Sequence, residues 1–106
     1  MKRPFVVIET RGSAWDDSRQ MDDQTGFPAH AAFVDSLVAE RFILLGGPLE
    51  GTRDVVLVIQ AEDCSEINER LAADPWMQNG LLIVKDCRPW RIRLGSLGQP
   101  SGSVVS

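Results

Sequence analysis

The chain has 106 residues, of which 43% are hydrophobic and 25% charged, the proportions of one soluble globular domain with a single core. A formal net charge of -4 with no cluster of Lys and Arg leaves nothing to neutralise a phosphate backbone, so nucleic acid is excluded as a partner. No apolar run approaches the roughly 20 residues of a membrane-spanning helix.

Pro4 to Thr10 is rich in β-branched and aromatic residues and reads as a strand. Phe5 and Val7 point to one face and Val6 and Ile8 to the other, so both faces need cover. The apolar run ends at Glu9 without a cleavage-type site, which fits a strand of a cytoplasmic protein and not a signal peptide. Arg11 to Phe27 is polar and aperiodic, a long loop whose conspicuous apolar residue is Trp15, either a loop anchor or a pocket wall.

Pro28 suits the first turn of a helix that runs to about Arg41. His30, the only histidine, precedes Phe33, Val34, Leu37, Val38 and Arg41 at offsets of 3, 4, 7, 8 and 11, which sets the imidazole at the head of the apolar stripe. Phe42 to Leu45 is a second strand, stopped by a turn at Gly46-Gly47-Pro48-Leu49 where a ligand can approach bare backbone. Asp54 to Gln60 is a third strand, again apolar on both faces.

Asp63 or Ser65 caps a second helix with an apolar stripe through Cys64, Ile67 and Leu71, ending near Asp74 because Pro75 follows. The Asp74 carboxylate then closes an apolar stripe, as His30 opens one, at a helix C-terminus whose dipole repels it. Asn79-Gly80 marks a turn, and Leu81 to Leu94 is a last strand interrupted at Pro89. Residues 95–106 read as a flexible tail, leaving 1–94 as the folded domain. Cys64 and Cys87 are on separate elements without a CxxC spacing, and are expected to stay reduced and to bind no metal.

The order strand, helix, strand, strand, helix, strand is that of a ferredoxin-like α+β domain with an antiparallel sheet. Helices on one face leave the other apolar, and a second copy packed sheet to sheet covers it, giving a homodimer with a barrel-like core. In this topology His30 and Asp74 come to the same edge. A carboxylate on one imidazole nitrogen raises the basicity of the other, the arrangement of a general base. The alternative is a satisfied core histidine with Asp74 merely terminating a helix. Asp35 diverges from His30 by about 140° around the helix and is no partner. Trp76 and Trp15 are candidate walls of a small-molecule pocket, together with Gly47, Pro48 and Leu49.

His30, Leu44-Leu45-Gly46-Gly47-Pro48-Leu49, Ala73-Asp74-Pro75-Trp76, Gly80-Leu81 and Arg88-Pro89-Trp90 together resemble the YCII-related family over about Phe5 to Leu94. The resemblance implies a dimeric α+β barrel and a His–Asp active site at His30 and Asp74. It also implies chemistry without metal or organic cofactor, one branch being linked to dehydrochlorination of a chlorinated hydroxyquinol. The acidic Arg11–Phe27 loop departs from the family pattern in carrying no arginine motif. Two functions follow: a lyase or isomerase acting on a small cyclic or aromatic metabolite, or a non-catalytic small-molecule-binding or regulatory dimer.

Overall fold

A computed structural model describes residues 1–96. Four strands, β1 (Arg3–Arg11), β2 (Ile43–Pro48), β3 (Asp54–Ala61) and β4 (Leu82–Pro89), form one antiparallel sheet in the order β2-β3-β1-β4. Helices α1 (Phe27–Ala39), α2 (Cys64–Leu71) and the single turn α3 (Pro75–Gln78) join them, with a 3-10 turn at Met21–Asp23. This is the expected α+β, ferredoxin-like arrangement. Among the described residues no helix is long and apolar enough to cross a membrane.

The sheet face toward the helices carries the core. Phe5, Val7, Ile43, Leu57, Ile59 and Ala61 pack there against Leu37 of α1 and Ile67 and Leu71 of α2. On the opposite face Val6 is paired with Val58 and Ile8 with Val56 across β1 and β3, and Leu45 lies beside Val58 on β2. Val58 is buried by its neighbours, but Val6, Ile8 and Val56 are only partly covered and Leu45 is half exposed.

Several boundaries differ from the sequence expectation for local reasons. Gly46-Gly47-Pro48 is not a turn: these residues extend β2 and pair with Leu57, Val56 and Val55, and the chain reverses only over Leu49 to Arg53. Pro48 is tolerated because β2 is an edge strand with a side free of pairing. Helix α2 stops at Leu71, and Asp74-Pro75 opens α3 instead of ending α2. Pro75 is at the start of a helix, where its missing N–H costs no bond. Strand β4 ends at Pro89, short of Leu94. The expected flexible tail from 97 onward lies outside the described residues.

The cysteines also depart from expectation. Cys64 at the head of α2 and Cys87 on β4 have Cα atoms 6.1 Å apart and are joined as a disulfide, fastening α2 to the sheet edge. They are neighbours because α2 crosses back over the sheet toward β4, a juxtaposition that spacing along the chain does not reveal.

Helix α1 ends with Arg41 in the left-handed region (φ 62). The Phe42 N–H donates to the Leu37 carbonyl and the Arg41 N–H to that of Val38, a Schellman closure that turns the chain sharply into β2.

Candidate active site

Asp74 is fixed before any ligand is considered. As the cap of α3 it accepts a 2.9 Å hydrogen bond from the Trp76 N–H on Oδ1. Here a helix start stabilises its negative charge, in place of the repulsion expected of a helix end. The remaining acceptor capacity faces α1, where His30 Nδ1 lies 2.9 Å from both carboxylate oxygens. Asp74 is 2% exposed and the His30 side chain 13%. The structure thus brings together the two residues singled out by sequence, through the packing of α3 on α1.

His30 is held on its flat side as well. Its ring stacks on the Trp76 indole with centroids 3.8 Å apart and planes 8° from parallel. Trp76 is in turn anchored by a 2.8 Å bond from Nε1–H to the Thr25 carbonyl and by an edge-on contact with Trp15, 5.4 Å between centroids. Gly26 precedes α1 with φ 79, a backbone geometry that favours glycine, and its carbonyl accepts the His30 N–H at 3.0 Å. The turn carrying His30 is therefore clamped between Gly26, Trp76 and Asp74.

Because a carboxylate only accepts, the neutral imidazole carries its proton on Nδ1 and has its lone pair on Nε2. The imidazole borders a cleft of about 180 Å³. An apolar cavity of about 150 Å³ accommodates benzene, so this one suits a single six-membered ring with a few substituents. Its walls are mostly apolar: Val34 and Val38 from α1, Ile43 from β2, Val55 and Leu57 from β3, Leu82 from β4, and Trp15 and Trp76.

The cleft stays open because of a bulge in β2. Ile43 pairs with Ile59, but Leu45 pairs with Val58 and Gly46 with Leu57, so Leu44 is the extra residue. That slip sends Leu45 to the far face and puts Gly46 on the cleft side, where a Cβ would run into the Leu57 side chain and approach the Val56 carbonyl. Gly47 and Pro48 line the cleft with it, whereas Leu49 is half exposed and is not part of the wall. Trp15 combines both roles considered for it: it is buried in the loop and it lines the cleft. Gln24, itself buried, ties that loop through bonds from Nε2 to the carbonyls of Asp16 (2.7 Å) and Arg19 (3.0 Å).

The two charged lining residues besides His30 and Asp74 were missed by sequence reading. Glu9, on β1, is 4% exposed, and burial together with the nearby Asp74 carboxylate raises its pKa to about 7. It sits where β1 and β4 slip register, with Ile8 opposite Asp86 and Glu9 opposite Val84. The signal was its phase: Phe5, Val7 and Glu9 share one strand face. Arg11, next on that face, holds its guanidinium 4.4 Å from the Trp15 ring centroid.

The model of the YCII-related domain matches residues 5–91. No functionally curated protein matches the chain. Among solved structures, the fold is similar to that of 5-chloro-2-hydroxyhydroquinone dehydrochlorinase (TftG) from Burkholderia phenoliruptrix AC1100 in complex with 2,5-dihydroxybenzoquinone. The TM-score is 0.58 at 22% identity, over 82% of this chain and 93% of that one.

Proposed function

The chain belongs to the YCII-related family, and from that premise we propose that it is a cofactor-independent enzyme of the lyase or isomerase kind acting on a small cyclic or aromatic metabolite. The observation that carries this reading is the His30–Asp74 contact at the wall of a ring-sized cleft. His30 takes a proton from the substrate on Nε2, and Asp74 stabilises the imidazolium that forms. Trp76 keeps the ring in plane, and the bare backbone at Gly46 and Gly47 leaves room for the substrate. The dehydrochlorinase of similar fold is named for a reaction on a small hydroxylated aromatic, which supports the same class here.

The experiment is a turnover screen of hydroxylated and halogenated single-ring compounds, 5-chloro-2-hydroxyhydroquinone among them, followed by His30→Ala on whichever is accepted. We expect a loss of about 10²–10⁴-fold in kcat. Wild-type rates in His30→Ala would end the assignment.

The second reading, a non-catalytic ligand-binding dimer, is favoured by how thoroughly Asp74 is consumed by structure: it is buried and caps α3. On that reading His30→Ala lowers stability and leaves ligand affinity unchanged.

The partly covered face of Val6, Ile8 and Val56, bordered by half-exposed Leu45, supports a homodimer formed sheet to sheet. Sedimentation should give a dimer, and Ile8→Asp should shift it to monomer. A wild-type monomer at high concentration would discard this assembly.

A further inference from the structure

Glu9 is a carboxyl group with no counterpart to account for it. Among the described residues its side chain makes no hydrogen bond and no ion pair, although Arg11 lies two residues along the same strand face. The strands beside it present Val55 and Val84, which offer it nothing. A buried polar group left without a partner is costly, and a structure retains one when something else comes to meet it. Glu9 faces the cleft, in company with His30 from α1, Asp74 at the start of α3 and Arg11 from β1.

We infer that Glu9 is the proton donor of this site, a neutral carboxylic acid that meets an oxygen of the substrate while His30 takes a proton elsewhere on the same ring. Burial and the nearby Asp74 carboxylate raise its pKa to about 7, so a large share of it stays protonated up to neutral pH. The inference rests on His30 as the base and narrows the substrate class to rings bearing a carbonyl or phenolic oxygen. The step balances within the site. His30 Nε2 accepts the proton of the C–H bond next to a carbonyl, the C–H pair becomes a carbon–carbon double bond, and the carbonyl π pair moves to oxygen and takes the Glu9 proton. The product is the enol, with an imidazolium and a carboxylate left behind. Protonation of Glu9 by solvent and loss of the His30 proton restore the start. An acid and a base in one cleft, their affinities for protons set apart by their surroundings, is a division of labour suited to neutral pH.

The test reads the carboxyl itself. In protein with ¹³C-labelled glutamate side chains, the Glu9 signal, assigned by its loss in Glu9→Gln or by through-bond correlation to its backbone, should titrate near 7, against about 4.3 for an ordinary glutamate. 4-Nitrophenolate, whose colour reports its ionisation, serves as the oxygen probe. Binding is measured in a His30→Gln background so that the imidazole does not contribute. Affinity per phenolate should fall at least tenfold as Glu9 ionises, and should stay flat when Glu9→Gln is added, because an amide donates at every pH. A Glu9 midpoint in the ordinary range, a pH dependence that survives Glu9→Gln, or no binding of the probe overturns the proposal. Failure of His30 as the base shows separately, as unchanged turnover in His30→Ala.

Discussion

The helix-facing side of the sheet is built in two ways along its length. At one end Phe5, Val7, Ile59 and Ala61 close against Ile67, and the Cys64–Cys87 bridge ties down the helix that covers them. At the other end β1 presents Glu9 and β2 presents Gly46 and Pro48, and the covering residues are His30, Asp74 and Trp76. Strand β1 crosses from one regime to the other within the alternation of Phe5, Val7 and Glu9. A closed end supplies the stability that lets the other end hold ionisable groups around empty space.

The sharpest way to break that contrast is to open the closed end. Ile67 is fully buried in the sealed cluster, and Ile67→Ala should cost about 2–5 kcal/mol in urea unfolding. Val34→Ala, in the half-buried cleft wall, should cost less, because its side chain already borders a void. Equal losses at the two ends would erase the distinction.

The second prediction concerns pH. Glu9 has its pKa raised from 4.5 to about 7 in the folded protein, so the fold binds this proton more tightly than the unfolded chain does. Its contribution is fully present below about 4.5 and is lost as pH rises toward about 7, a loss of roughly 3 kcal/mol. Glu9→Gln should remove that slope, so the stability difference between variant and wild type should widen in the variant's favour between pH 4.5 and 7 and then level off. Three carboxylates held low by neighbours act in the opposite sense and at lower pH: Asp16 by Ser18, Asp54 by Thr10 and Lys85, Asp86 by Arg88. A parallel pair of pH–stability curves would mean that Glu9 is not the buried acid described.

These residues also show what the sequence could convey. The architecture was legible because strand alternation and helical offsets are local, and they placed His30 and Asp74 on buried faces. Glu9 was in phase with Phe5 and Val7 within the expected strand, but an acidic residue closing an apolar run gives no local sign that its carboxyl is buried. Gly46-Gly47-Pro48 has turn composition, and only pairing with β3 makes it strand. Asp74-Pro75 fits either a helix end or a helix start, and the three-residue gap after Leu71 decides between them. The cysteine pairing depends on how α2 crosses the sheet, a long-range fact with no local trace.

A smaller effect tests how the open end is shaped. Gly46→Ala puts a methyl against Leu57 and the Val56 carbonyl, in a strand where Gly47 next to it has open space. Overpacking of this kind costs about 1–3 kcal/mol, and Gly47→Ala should be close to neutral. Because Gly46 lines the cleft and Leu57 would have to yield into it, the first variant should also weaken ligand binding. A tolerated Gly46→Ala with intact binding would mean that the bulge, and not the missing side chain, sets the width of the cleft.

The smallest effect lies at the hinge between the helix that carries His30 and the strand that carries Gly46. Arg41 occupies the left-handed position of the Schellman closure at φ 62, where a non-glycine residue is strained by about 1 kcal/mol. Its side chain is exposed and makes no ion pair among the described residues, so nothing in the fold repays that strain. Arg41→Gly relieves it but adds backbone freedom to the unfolded chain, and the two terms oppose each other. A net gain of about 0.5 kcal/mol is expected, with the His30–Asp74 contact and the cleft unchanged, because the backbone path from Leu37 to Phe42 is the one glycine prefers. A loss of stability would show that Arg41 holds the turn by its side chain, and the closed and open ends would then be coupled through this residue as well as through the sheet.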